Sequence, residues 1–429
     1  MKVLLLGSGG RESALAWTLA RSPRVEQLVV APGNPGIAEL ADCVACDIED
    51  PSAVSELVGR VGADLLVVGP EAPLVRGVGD AVREARVPVF GPSAAAARIE
   101  GSKTYAKELM ERAQIPTAAW RSFTEPEAAF GYLDELGPPY VIKADGLAAG
   151  KGVVVTEDRA AAQRAVDERL VQGRFGDAGS SIVIEEYLDG EEASLIAFTD
   201  GTNVAVCEPA QDYKRARDDD CGPNTGGMGS YSPVPACPPE LTSRIVEEVL
   251  QPLVRQTAAD GAPFVGALYA GLALTTKGPK VIEFNARFGD PETQALLPRL
   301  RSDFAELAMT TATGELGPDH HLDWSPDACV SVVLASGGYP GAHEMGYEIH
   351  GLERARHIEG VVVFHSGTKS ENDRVVTAGG RVLALSATGA TFAEARTRAY
   401  EAASVIDFER KHLRSDIALR AEQSERRVT

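Results

Sequence analysis

The chain has 429 residues, 44% of them hydrophobic, and a net charge of −20 from 42 Lys and Arg against 62 Asp and Glu. That length and apolar content predict a globular chain of about three domains, and the acidic balance excludes a general nucleic-acid or anionic-membrane surface. No run approaches the roughly eighteen apolar residues of a membrane span, and the apolar part of MKVLLLGSGG is too short for a signal-peptide core, so a cytoplasmic protein is expected.

Apolar runs at 2–7 (KVLLLG), 27–31 (QLVVA) and 64–70 (DLLVVGP), then VPVFG, alternate with helical stretches from Glu12, near 51–60 and near 77–86. This alternation predicts a doubly wound parallel sheet over residues 1–101. Ligands of such sheets sit beyond the carboxyl ends of the strands. Two exits stand out, Gly7-Ser8-Gly9-Gly10-Arg11-Glu12 and Gly69-Pro70-Glu71-Ala72-Pro73. The first begins like a dinucleotide fingerprint but has Glu12 where the third glycine belongs, which counts against a Rossmann cofactor. A glycine turn opening a helix, with Arg11 at its start, suits a single phosphate; the alternative is a plain strand-to-helix turn. Among six scattered cysteines only Cys43 and Cys46 form a C-x-x-C, and without a second pair or a nearby His a reduced pair is favoured over zinc.

From residue 102 the pattern changes. Helices are expected at 102–112, 125–136 and 158–171, with strands in 141–155 and at 181–188, giving a small α+β lid over about 120–190 within a central domain of 102–320. Val141–Val155 reads VIKADGLAAGKGVVV. A P-loop is excluded: Gly146 and Gly150 are three residues apart, Gly152 stands where the Mg²⁺-binding hydroxyl belongs, and Val153–Val155 is β-branched rather than helix-forming. What remains is a glycine-rich turn between strands, with Lys143 before it and Gly150-Lys151-Gly152 at its tip, suited to covering a polyphosphate. The bland alternative is a hairpin with a solvated lysine. Such a flap brings no metal ligand, so a metal must be held elsewhere.

Residues 192–206 predict a hairpin turning at Asp200-Gly201, 209–233 a long polar loop, 266–275 and 280–286 strands, and 291–313 helices. Beyond about 320, CVSVVLAS, VVVFHS and RVLALSA precede an amphipathic helix at 391–405, predicting a carboxy-terminal β-rich domain over 321–429. In VIEFNARFGDPE (281–292) strand alternation puts Glu283, Asn285 and Arg287 on one face. A carboxylate beside an amide oxygen suits Mg²⁺ completed by phosphates, and Arg287 suits a transferring phosphoryl group or a substrate phosphate. In IEEYLDGEE (184–192), Glu185, Glu186, Tyr187 and Leu188 could supply backbone groups to adenine, with Glu191 or Glu192 turned to the ribose; an ordinary acidic turn is the alternative.

Lys103, Lys143, Lys151, the acidic hinge and the Glu-x-Asn strand, in this order over about 103–300, resemble the ATP-grasp superfamily. GSGGRESALAW, GPEAPL, GPSAAAARIEGSK, IKADGLAAGKGV, GPNTGGMGSYSP, EFNARFGDPETQ and TAGGRVLALSATG resemble, over nearly the whole chain, its phosphoribosylamine–glycine ligase family. The resemblance implies a three-part α/β and α+β molecule: an amino-terminal parallel sheet, an ATP-grasp fold with a lid, and a β-rich end. It implies an enzyme of purine biosynthesis that joins glycine to 5-phosphoribosylamine with ATP, giving glycinamide ribonucleotide, ADP and phosphate through a glycyl phosphate.

Lys143, Lys151 and Arg287 would then be catalytic. Lys103, Lys143, Gly150, Lys151, Gly152, Glu185, Glu186, Tyr187, Leu188, Glu191 and Glu192 would bind ATP, and Glu283 with Asn285 would hold Mg²⁺ or Mn²⁺. Gly9, Gly10, Arg11, Glu12, Glu71, Asp212, Lys214 and Arg287 would meet phosphoribosylamine. Glycine would lie near Asn224-Thr225-Gly226-Gly227-Met228, where small residues would leave amides free. The family pattern has His where this chain has Ser13 and Tyr213. Small-molecule substrates, no nucleic acid or membrane, and a monomer or weak homodimer are expected. The rivals are another ATP-grasp ligase or carboxylase, an NAD-dependent oxidoreductase, and a nucleotide-gated module without turnover.

Overall fold

The apolar run Lys2–Gly7 forms β1, buried beyond its first residue because a central parallel strand is covered on both faces. With β2 (Gln27–Pro32), β3 (Asp42–Cys43), β4 (Leu65–Val68) and β5 (Val89–Phe90) it builds a parallel sheet in the order β3-β2-β1-β4-β5. The helix after β1 starts at Gly10 rather than Glu12. The helix Pro51–Val61 is capped by the Asp50 side chain, which accepts from the Ser52 amide, and stopped by Gly62 at φ +65°. The helix expected near 77–86 is Val78–Glu84, preceded across Gly77 by a short helix at Glu71–Val75, and a helix at Ala94–Gly101 leads into the central domain. The computed structural model describes residues 1–148 and 152–428; Gly150 and Lys151 of the expected flap lie outside the described residues.

The lid consists of β6 (Trp120–Phe123), β7 (Tyr140–Ala144), β8 (Val153–Thr156) and β9 (Ile182–Glu186), in the antiparallel order β6-β9-β7-β8. The helices Pro126–Leu136 and Arg159–Leu170 bury Leu133, Ala162 and Val166 against Ile142 and Ile184. β7 pairs with β8 in the register Lys143 to Val153, as expected for a hairpin carrying the flap.

β10 (Glu191–Asp200) and β11 (Val204–Val206) follow. Residues 209–233, expected as a loop, instead contain β12 (Gln211–Asp212), β13 (Arg215–Arg217), β14 (Cys221–Asn224) and β15 (Gly229–Ser232). The stretch Pro239–Ala259, given no element above, is helical with one wider turn before Pro252, whose ring nitrogen has no N–H to donate. β16 (Val265–Thr275) and β17 (Gly278–Asn285) complete the central antiparallel sheet β11-β10-β16-β17.

The final part contains β18 (Ala328–Ser336), β19 (Val361–His365), β20 (Thr368–Glu371), β21 (Arg374–Thr377), β22 (Arg381–Gly389) and β23 (Lys411–His412). Its sheet runs β12-β15-β18-β22-β19, so two strands from the middle of the sequence complete the carboxy-terminal sheet. The helix Phe392–Val405, capped by Thr391, covers it with Phe392, Ala395 and Ala399.

The three parts are packed together at the site. Phe90 from β5 meets Phe198, Phe288 and Phe304 with ring centroids 5.7, 6.1 and 5.9 Å away. Offset and edge-on rings of this kind add roughly 0.5–1.5 kcal/mol per pair beyond their buried area, which fixes the amino-terminal sheet against β10 and the segment that follows β17. No helix among the described residues is long and apolar enough to cross a membrane. Cys43 and Cys46 are free thiols.

Candidate active site

The exits of β1 and β4 converge on the end of β17. Gly7 takes φ +124°, and it and Gly69 lie so close to Glu12 that a Cβ on either would strike its side chain. The Glu12 carboxylate accepts from the Gly9 amide at 2.6 Å and from Arg11 Nε at 2.5 Å, so it shapes the turn. Arg11 then reaches the central domain, donating to the Phe288 carbonyl at 3.2 Å. Arg287 lies 3.3 Å from Glu71 and 2.7 Å from Glu100, and the second Glu100 oxygen accepts from the Ala286 amide at 2.7 Å. Burial works against the Arg287 charge, but Glu100 and Glu71 outweigh it and hold the guanidinium firmly protonated. Burial pushes the Glu100 carboxyl up despite Arg287, whereas Arg287 and Arg11 overcome burial at Glu71 and pull it down. Arg11, Glu12, Glu71 and Arg287 are thus brought together as expected; Glu100, inside the quoted motif GPSAAAARIEGSK, was missed because nothing in a helix pattern marks a buried carboxylate.

Asp290 and Glu292 were also passed over, although both lie in FNARFGDPE. Asp290 faces the start of the first helix, accepting from the Arg11 amide at 3.4 Å, and pairs with Arg381 at 3.2 Å. Burial opposes its ionisation, yet Arg381 and Arg11 draw its carboxyl below the ordinary range. The Gly9 amide is taken by Glu12, so a phosphate at this turn would be left the Gly10 amide, with Asp290 as its neighbour. Glu292 accepts from Ser194 at 3.0 Å and Tyr269 at 2.8 Å beneath the same surface.

The lid and the central sheet meet at lysines. Lys143, on β7, donates to the Ile282 carbonyl at 3.0 Å, beside Glu283, and lies 3.0 Å from Glu185. Lys103 donates to the Gly146 carbonyl at 3.3 Å; burial, with Lys143 nearby and Glu283 opposing, pushes its ammonium down. Glu283 feels burial against its charge, but Lys214, Lys143, Lys103 and Arg287 surround it and keep it ionised. Neither the Glu283 carboxylate nor the Asn285 carboxamide has a hydrogen-bond partner among the described residues. Gly271 stands directly across from Glu283, so no second side chain competes for the space. An ionised carboxylate beside an unengaged amide oxygen fits a hard cation that takes its remaining ligands from phosphates. No cluster of three or more His, Cys, Asp or Glu among the described residues forms a cage independent of substrate.

At the expected hinge the acidic side chains are engaged elsewhere. The Glu185 side chain is buried between Lys143 and Lys107, and Glu186 pairs with Lys280 at 2.9 Å, so both carboxylates are occupied and only backbone remains for a base. Tyr187 and Leu188 follow the end of β9, with the Tyr187 ring about half exposed. Glu191 accepts from Gln211 at 3.4 Å, and Glu192 pairs with Lys214 at 2.5 Å. Gly152 precedes β8, its carbonyl accepting from the Ala144 amide at 2.9 Å and from the buried Arg169 at 3.1 Å.

Asp212 and Lys214 sit on the near side of the segment from β12. Burial raises the Asp212 carboxyl to about 7; Lys214 opposes this, while Glu292, Glu192 and Glu283 reinforce it. Lys214 is held protonated against burial by Asp212 and Glu192. Tyr213 points the other way: its hydroxyl accepts from the Ala418 amide at 2.9 Å and its ring lies under Arg414. Ser13 likewise turns from the cleft, donating to the His365 carbonyl at 2.5 Å and accepting from Asn34 at 3.0 Å. Both departures from the family pattern therefore face the carboxy-terminal part.

The glycine loop behaves differently from expectation. The Thr225 and Met228 amides donate to the carbonyls of Lys214 and Tyr213 at 2.7 and 2.8 Å. Gly226 donates to the Tyr339 hydroxyl at 3.0 Å, and Gly227 to Thr225 Oγ1 at 2.9 Å. These amides are engaged, because the β-strands on either side fold the loop onto its own chain. Arg381 clasps the loop by donating to the carbonyls of Gly226 and Asp290 at 2.6 and 2.7 Å. The loop is also packed closely: Gly227 has φ +112°, and a Cβ there would strike Pro291.

A sheet face carrying Glu283 and Asn285, with Lys103 and Lys143 where the small lid meets it, is the arrangement of an ATP-grasp enzyme. Comparison with known proteins agrees. Family models described as phosphoribosylglycinamide synthetase match here: the N domain over residues 1–100, the ATP-grasp (A) domain over 101–293 and the C domain over 329–420. The phosphoribosylamine–glycine ligase of Streptomyces coelicolor is 52% identical over 98% of this chain and 99% of its own, and that of Vibrio parahaemolyticus is 49% identical over 98% of each. The crystal structure of the Thermotoga maritima phosphoribosylamine–glycine ligase superposes with a TM-score of 0.86 at 34% identity, covering 97% of this chain and all of that one. A biotin carboxylase from Campylobacter jejuni, with a TM-score of 0.73 at 16% identity over 96% of this chain and 92% of that one, shares the fold. The chain belongs to the phosphoribosylglycinamide synthetase family.

Proposed function

We propose that this chain joins glycine to 5-phosphoribosylamine at the expense of ATP, releasing glycinamide ribonucleotide, ADP and phosphate, as a cytoplasmic step of purine biosynthesis. Full-length identity of about one half to ligases of that name supports the reaction most strongly. The site chemistry suits it. A carboxylate is inert toward an amine, so a glycine oxygen must first attack the γ-phosphorus of ATP, displacing ADP and forming glycyl phosphate. The amine nitrogen of phosphoribosylamine then attacks the acyl carbon, phosphate leaves, and the nitrogen loses a proton.

In this reading Lys103, Lys143, Gly150 and Lys151 hold the polyphosphate, and backbone at 186–188 meets the base. Glu283 and Asn285 would hold Mg²⁺ or Mn²⁺, which when bound neutralises phosphate charge as it develops. Arg11, Glu71 and Arg287 orient phosphoribosylamine from the amino-terminal side, and Asp212 with Lys214 from the other. Catalysis is then mainly positioning in a site that the flap closes to water, protecting the acyl phosphate. Because all three parts of one chain contribute to a single site, a monomer or weak homodimer suffices.

The test supplies Mg-ATP and freshly generated phosphoribosylamine, varies the amino acid, and measures ADP. A burst with glycine alone is expected. ADP release with another carboxylate in place of glycine, or none with glycine, refutes the assignment.

A further inference from the structure

Lys107 lies one turn beyond Lys103 on the helix Lys103–Arg112 and is only 2% exposed. No step above uses it. Its ammonium donates to Glu185 at 3.0 Å and to Thr117 Oγ1 at 2.7 Å, and the Thr117 hydroxyl donates onward to the Val281 carbonyl at 2.7 Å. The other Glu185 oxygen lies 3.0 Å from Lys143, which donates to the adjoining Ile282 carbonyl. One buried carboxylate therefore serves two buried ammonium groups. The helix of Lys107, lid strands β7 and β9, and metal-face strand β17 all meet on it.

That ratio has an electrostatic consequence. A Glu185 paired with Lys143 alone would neutralise it, and the lysine would present little field to a phosphate. Shared with Lys107, the carboxylate cancels only one of the two charges in a water-poor place, so Lys143 keeps a positive field that Glu283, on the opposite strand, offsets only in part. Such a charge is unfavourable unless an anion completes it. We propose that Lys107 is a positioning residue for nucleotide binding: by sharing Glu185 it keeps Lys143 available to the polyphosphate, and it ties lid strands β7 and β9 to β17. This rests on Lys143 facing the phosphates of ATP.

The groups around Lys107 are Glu185 and Glu186 on β9 and Lys143 on β7. Burial presses its ammonium down to about 8, with Glu185 opposing and Lys143 assisting. An arriving polyphosphate raises that value, so binding takes up a fraction of a proton near pH 8 and less at lower pH, where Lys107 is already charged.

The test compares the full-length wild type with Lys107→Met and Thr117→Val. Lys107→Met is expected to raise the KM for ATP at least tenfold while the KM for glycine moves less than twofold. Thr117→Val, which removes one supporting hydrogen bond, shifts the KM for ATP in the same direction by a smaller factor. Calorimetric binding of Mg-ADP near pH 8, in two buffers of different ionisation enthalpy, is expected to show proton uptake by the wild type. Lys103 is also pushed down by burial and contributes, so Lys107→Met is expected to reduce the uptake rather than abolish it. Wild-type affinity together with wild-type uptake in Lys107→Met overturns the proposal, as does an equal rise in the KM for ATP and glycine. Should Lys107→Met fail to fold, an unchanged KM for ATP in Thr117→Val, or no uptake by the wild type, overturns it equally. A wild-type chain that does not bind Mg-ADP at all refutes the ATP-site reading beneath it.

Discussion

His365 makes the junction between the amino- and carboxy-terminal parts sensitive to acid. Its ring is 1% exposed, with Nδ1 3.0 Å from Thr368 Oγ1 and Nε2 without a partner among the described residues. Its carbonyl receives Ser13 and Asn34. Burial, helped by Arg356, lowers the imidazole from 6.5 to about 4. The unfolded chain therefore takes up a proton before the folded one does as pH falls. The stabilisation is complete above pH 6.5, declines as pH drops, and levels off below about 4. The interval amounts to roughly 3 kcal/mol, a large share of the roughly 5–15 kcal/mol that holds a domain folded.

Urea unfolding across this range, read by tryptophan fluorescence, checks it, because Trp17 packs edge-on against Phe364 with centroids 6.1 Å apart and so reports on this junction. Other groups titrate here too, so the informative quantity is the difference from His365→Gln. The wild type should lose about one proton's worth of slope more than the variant. Equal slopes in the two proteins would refute the reasoning.

Three further outcomes are expected. Glu283→Gln removes the ionised ligand from the metal face, so turnover should fall by about a hundredfold or more while the thermal midpoint stays near that of the wild type; activity within tenfold of wild type sinks the metal assignment. Gly227→Ala forces a Cβ into Pro291 at a positive φ, and the strain of about 1–3 kcal/mol should appear as lower stability with a raised KM for glycine in steady-state kinetics. Tyr213→Phe leaves the Ala418 amide without its acceptor, lowering stability by about 1–3 kcal/mol; because the ring faces away from the cleft, the KM for each substrate should remain within twofold.

Much of the architecture could be read from local pattern, because β1, β2 and β4 are apolar runs long enough to announce themselves. The strands within 209–233 could not. They are short and polar, and β15 owes its conformation to hydrogen bonds with β18, where Gly229 faces Val332, a partner distant in sequence. The site divides in the same way. Glu283 and Asn285 share a face because strands alternate, which spacing reveals, whereas nothing local shows that the Glu185 side chain is buried between Lys107 and Lys143. Arg381 and Tyr339 lie in a part of the chain that carries no nucleotide signature, and only tertiary contact brings them to the glycine loop. The Lys107 spacing, one turn from Lys103 on the same helix, was the one available hint to that network.

The borrowing of β12 and β15 by the carboxy-terminal sheet bears on how the protein is made. During synthesis the segment bearing Asp212 and Lys214 leaves the ribosome well before β18, so it must wait for its neighbour while the lid and the first sheet can already settle. Chains halted ahead of β18 should present a formed nucleotide clamp but an unfinished acceptor side. Catalytic competence is thereby reserved for complete molecules.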